Sequence, residues 1–218
     1  MNSLKNIFQT PWVKVTIYFI IIWSVTAIAW AVPELDGFFT YLVASLLATW
    51  LLLRLSGQTW GNLDLLLKSK LHYWQLFVGT LIGIIMLLMV AVPVILLVGQ
   101  HWRFNHDFSV INLLTLAIIF LISSIIQEVT YRGYPFQILM NHYGDWVAQL
   151  AIILPFAFMH FHIGMSLNEI VLMILSTGVG SLLYGQAYIN TRNLALPIGL
   201  HWGWNFAQVL FPRHESQN

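Results

Sequence analysis

The chain has 218 residues, of which 59% are apolar and 8% charged, with a formal net charge of +1. Soluble domains average roughly 45–50% apolar and 25% charged residues, so this is the composition of a membrane protein. The near-neutral balance offers no broad basic face for nucleic acid, and the lack of cysteine removes disulfides, thiol nucleophiles, thiolate metal sites and palmitoylation.

A bilayer-crossing helix needs roughly 20 mostly apolar residues. Cutting the chain at its charges leaves seven such runs, at about 15–32, 38–53, 74–98, 110–127 and onward, 146–161, 170–189 and 194–211. The first follows Lys5 and Lys14 and ends in AIAWA, which resembles a secretory signal with its cleavage site. Its apolar core exceeds the roughly 7–15 residues usual for a signal, so an uncleaved first span is expected. The second and fifth runs are short. Residues 56–73 (SGQTWGNLDLLLKSKLHY) mix Leu and Trp with Asp64, Lys68 and Lys70, a pattern that fits a helix lying in the interface. Pro93, Pro155 and Pro197 predict kinks, the last by releasing the Asn193 carbonyl from its helical bond. Ser176, Gly180, Ser181 and Gly185 predict close helix packing. The expected fold is all-α, a polytopic membrane bundle of about seven transmembrane helices plus the interfacial one. With no linker, low-complexity tract or repeat, a single domain over residues 1–218 is expected, its spans at about 15–98 generic in character.

Lys and Arg set the orientation. With the N-terminus in the cytoplasm and seven crossings, Lys5, Lys14, Arg54, Lys68, Lys70, Arg132 and Arg192 fall inside, and only Arg103 and Arg213 outside. An N-in, C-out integral membrane protein is therefore expected. The short chain with minimal loops suits a bacterial plasma membrane.

Polar residues inside the spans are functional candidates by default. Three clusters stand out: Gln127, Glu128 and Arg132; His160; and His201 with Asn205. Glu128 and Arg132 are an i, i+4 pair, as are His201 and Asn205, so each pair shares a helix face. A buried ion pair that staples its helix, and histidines that bond neighbouring helices, are the plain readings. The combination points further, because a carboxylate, two histidines and an asparagine on three spans are the parts of a water-activating hydrolytic site. Zinc is a rival, but there is no HExxH and no cysteine, so neither metal nor cofactor is expected. His142, His162 and His214 near span ends read as interfacial. Transport is a second rival, since Glu, Arg and His within spans also suit a proton relay, although no inverted repeat is evident. Equal crossings put Glu128 near the inner end of its helix, His160 near the outer end of the next and His201 mid-span. A shared site then needs a longer, tilted fourth helix or a fifth span displaced toward the cytoplasm.

The order QEVTYR, FAFMH (residues 156–160) and HWGWN (residues 201–205) resembles the motifs EExxxR, FxxxH and HxxxN of the CPBP family, the CAAX-prenyl-protease-like and bacteriocin-processing (Abi) membrane endopeptidases. Gly133 after the arginine and the glycine-rich GSLLYGQAYINTRNLALPIGLH add to the resemblance, which covers about residues 110–208. It implies metal-independent cleavage of a membrane-associated protein or peptide within the lipid bilayer. A glutamate helped by the FxxxH histidine activates water, and the HxxxN pair stabilises the oxyanion. Carried over, His160 assists the base, His201 and Asn205 are oxyanion donors, and Arg132 holds Glu128. Donors so placed in a low-dielectric cavity are worth about 3–4 kcal/mol each.

The departure lies at the first acid, where the family's water-activating glutamate is Gln127. An amide accepts no proton, and loss of the base costs roughly 10²–10⁴ in rate. Glu128 does not simply take its place, because adjacent helical residues point about 100° apart. Three readings stand: a natural variant using Glu128 or His160 as base, a pseudo-protease that binds membrane proteins or confers immunity, or an engineered exchange of the catalytic glutamate.

Overall fold

The computed structural model describes residues 10–32, 34–63, 67–98 and 109–210, so Lys5, Asp64, Arg103, Arg213 and His214 lie outside the described residues. All regular structure among these residues is helical. In chain order the helices are α1 (Pro11–Ala31), α2 (Gly37–Leu55), a 3₁₀ turn (Trp60–Leu63), α3 (Lys70–Val98), α4 (Val110–Arg132), α5 (Tyr134–Tyr143), α6 (Asp145–Phe158), α7 (Leu167–Thr191), α8 (Ala195–Ala207) and a 3₁₀ turn (Gln208–Leu210). Among the described residues five stretches are long and apolar enough to cross a membrane: Pro11–Ala29, Gly37–Leu55, Lys70–Leu97, Val110–Tyr143 and Leu167–Thr191. The fifth and seventh expected runs are also helical, as α6 and α8, but only 14 and 13 residues long. At 1.5 Å per residue each spans roughly 20 Å, short of the roughly 30 Å hydrocarbon core. Large apolar side chains face outward along the long helices, Leu97 of α3 being 87% exposed, as lipid-facing surfaces require.

The chain forms two compact units. The first comprises Met1–Leu66 and Ile126–Leu194, the second Leu67–Ile125 and Ala195–Asn218.

In the first unit, α1 starts on Pro11, whose missing N–H is no loss in the first helical turn. Helix α2 is capped by Asp36, which accepts from the Phe39 amide at 2.6 Å. The two helices pack together, and the buried Tyr18 hydroxyl meets Thr49 at 3.1 Å. The lower wall of this unit gathers the start of α1, the end of α2 and the end of α5, since Lys14, Ser56 and Asn141 line one pocket. At the opposite end a cavity of about 530 Å³ is lined by Thr26, Phe38, Tyr41, Tyr131 and Met159. Helix α7 opens with a capping box, in which Ser166 accepts from the Glu169 amide and Glu169 accepts from the Ser166 amide. It closes on Arg192, which adopts a left-handed conformation at φ 55°.

Two expectations change. Residues 56–73 do not form one interfacial helix: they hold the 3₁₀ turn and the first residues of α3, with 64–66 outside the described part. Gly57, at φ 68°, ends the preceding helix there. Pro197 does not kink a span, because α8 begins at Ala195 and places it in the first turn, where an N–H would have no helical partner. The Asn193 carbonyl accepts instead from the Thr191 hydroxyl at 3.1 Å. The fourth run continues past its motif, since α4 and α5 form one apolar stretch, Val110–Tyr143, interrupted at Gly133. There ψ is −121°, and Pro135 cannot donate to the carbonyl four residues back. Glu128 lies four residues before the end of α4, as expected, within a 34-residue apolar stretch that continues through α5.

Candidate active site

Gln127, Glu128, Arg132 and His160 all belong to the first unit. Successive residues of α4 turn by about 100°, so Gln127 and Glu128 present different faces. Both are buried, Glu128 completely. Arg132 is also fully buried and donates from Nη1 to Glu128 Oε1 at 3.3 Å. Its Nη2 donates to the Ser181 carbonyl at 2.7 Å and to the Ser181 hydroxyl at 2.9 Å. The guanidinium lies over the rings of Phe156, at 4.7 Å, and Tyr184, at 5.4 Å. A desolvated cation needs such partners, and aromatic faces supplement the carboxylate. Arg132 thereby joins α4 to α6 and α7.

His160 lies beyond α6, which ends at Phe158, in an exposed turn rather than inside a helix. Its Nδ1 meets the Phe156 carbonyl oxygen at 3.1 Å. A carbonyl only accepts, so Nδ1 carries a proton, and Nε2 is the basic nitrogen whenever the ring is neutral. The Phe156 ring packs 5.3 Å from the His160 ring on one side and under Arg132 on another. Phe156, the first residue of the FxxxH motif, thus packs against both Arg132 and His160. Tyr131 closes its edge at 5.1 Å.

His201 and Asn205 belong to the second unit, one helical turn apart on α8. His201 is 3% exposed and Asn205 half-buried. What fixes this helix is backbone contact with α3. A Cβ on Gly79 would lie 2.7 Å from the Leu196 carbonyl oxygen, and one on Gly83 would be 2.8 Å from the Trp204 nitrogen. Reciprocally, Cβ atoms on Gly199 and Gly203 would run into the backbone of Leu76 and Thr80. These are two facing GxxxG pairs, GTLIG and GLHWG. Positions 201 and 205 lie about 200° round from 199 and 203, so both point away from α3. Trp202 adds a bond from its indole nitrogen to the Ala117 carbonyl of α4 at 2.9 Å.

Among the described residues no three His, Asp or Glu side chains are grouped as metal ligands. The facing glycines are not among the expected packing positions, although both GxxxG patterns are visible in the sequence. Ser181, expected at a close helix contact, is buried and also holds the arginine. Gly185 does mark close packing, against the Gln149 side chain.

No curated protein and no solved structure matches the chain significantly. The model of the family described as type II CAAX prenyl endopeptidase Rce1-like matches residues 109–207. That segment runs from the start of α4 to the end of α8 and contains all three motifs. Over that segment the chain is similar to the Rce1-like CAAX prenyl endopeptidases.

Proposed function

We propose that the chain hydrolyses a peptide bond of a membrane-associated protein or peptide, with His160 as the base that activates water. Nε2 takes a proton from the water, and the resulting hydroxide attacks the peptide carbonyl. The oxyanion that forms is stabilised by His201 and Asn205, and the proton passes on to the leaving amine. The assignment of His201 and Asn205 is supported by their place in the third motif, inside the family-matched segment. Gln127 orients the water through its amide but takes no proton. Glu128 is committed to Arg132 and serves the architecture.

The observation that carries this reading is the His160–Phe156 bond on an exposed turn, which puts a proton on Nδ1 and so makes Nε2 the nitrogen that acts as base in the neutral ring. The family suggests a prenylated CAAX peptide as the first substrate to try. In proteoliposomes, His160→Ala is expected to abolish cleavage, while Glu128→Gln retains it per folded molecule. Equal cleavage by the parent chain and His160→Ala would overturn the base assignment. A chain that cuts nothing but captures the peptide equally well is a pseudo-protease, and ion flux without cleavage would identify a transporter. We also place the N-terminus in the cytoplasm, as the distribution of Lys and Arg supports.

A further inference from the structure

A second pocket in the first unit, of about 230 Å³, is polar and lies where α1 begins and where α2 and α5 end. Lys14, Ser56, Asn62, Tyr134, Asn141 and His142 line it. Lys14 Nζ donates to the Ser56 hydroxyl at 3.2 Å, and Ser56 in turn meets the Tyr134 hydroxyl at 3.1 Å. Among the described residues no Asp or Glu lines the pocket. A half-buried ammonium held by a hydroxyl, among amide and hydroxyl donors, is a site for an anion. Trp12 stacks on Tyr143 beside it, ring centroids 5.8 Å apart, with both rings substantially exposed. Trp and Tyr of this kind mark the headgroup level of a bilayer.

We propose that this pocket binds the phosphate of an anionic phospholipid headgroup. The volume suits a phosphodiester with a small polyol. A choline or ethanolamine headgroup would bring an ammonium that finds no carboxylate among the described residues lining the pocket. The lipid would tie together the ends of α1, α2 and α5, at a distance from His160, which follows the opposite end of α6 in the same unit.

The test uses the full chain in detergent, with native mass spectrometry after addition of phosphatidylglycerol, phosphatidylcholine or inorganic phosphate in separate arms. Phosphatidylglycerol is expected to be retained in preference to phosphatidylcholine. Its retention should fall on the order of fivefold in Lys14→Gln, the contribution of one basic residue near an anionic headgroup. Lys14→Arg should keep it. Unfolding temperatures measured without lipid identify a variant that has misfolded, and Asn141→Ala, which leaves the charge in place, then serves as the second variant with a smaller loss. Equal retention by the parent chain and Lys14→Gln, or equal retention of both lipids, would overturn the proposal. Phosphate binding as tightly as the lipid would show a free-anion site instead.

Discussion

Arg132 reaches Ser181 through two hydrogen bonds of 2.7 and 2.9 Å, both shorter than its 3.3 Å contact with Glu128 one turn away on its own helix. The arginine is held across to α7 at least as firmly as it is held to the acid. Arg132→Met leaves the Glu128 carboxylate buried without its cation and is expected to cost about 3–5 kcal/mol. The double variant Arg132→Met, Glu128→Leu should recover most of that. Ser181→Ala keeps the bond to the carbonyl and loses the one to the hydroxyl, for about 1.5–3 kcal/mol. Thermal unfolding of the detergent-solubilised chain checks all three, and equal losses for the single and double arginine variants would contradict the pairing.

Gln127→Glu adds a proton acceptor on α4 where the related motif carries one. If the amide is what limits the rate, cleavage of a membrane-bound peptide should rise roughly 10²–10⁴-fold. Single-turnover assays in liposomes measure it. No change would mean that the carboxylate at this position does not reach the water.

The facing glycines predict a steep dependence on side-chain size. Gly83→Val and Gly203→Val each force a methyl group into backbone and should cost about 1–3 kcal/mol or more by overpacking. Gly180→Ala, whose Cβ would meet only the Tyr184 ring at 3.7 Å or beyond, should be nearly neutral. Melting temperatures of the three variants rank them.

Much of this organisation is legible in the sequence, and the reasons differ residue by residue. Hydropathy is a local property, so each apolar run contains a helix. The Glu128–Arg132 pair follows from helical spacing alone. Ser181 is different, because the partner of a small polar side chain depends on which helix lies opposite, and nothing local records that. The turn at His160 depends on where α6 stops, two residues before the histidine, and a run of apolar residues through Phe161 conceals that stop. The interruption at Gly133 is legible as RGYP, and it ends α4 four residues after Glu128.

Ser166→Ala removes the N-cap of α7 and should lower stability by about 1 kcal/mol. Glu169→Ala tests the reciprocal half of the box, and the two losses should be less than additive, since each depends on the other.

The arrangement of the first unit also fixes which loops share a side. Gln58 lies with Lys14 at one end, and Met159 lies with Phe38 at the other. Single cysteines at Gln58→Cys and Ile163→Cys, in a chain that has no other, are expected to react with an impermeant maleimide from opposite sides of sealed vesicles. With the N-terminus inside, position 58 labels from the cytoplasmic face. Labelling of both from one side would refute the arrangement.

The four glycines between α3 and α8 have a mechanical meaning. With side chains absent at the contact, the two backbones touch like the faces of a dovetail joint, and α8 has no layer of flexible atoms on which to roll about its axis. The direction in which His201 and Asn205 point relative to α3 is therefore set by the main chain itself. Any opening that admits a substrate has to carry α3 and α8 as one body or leave both where they are.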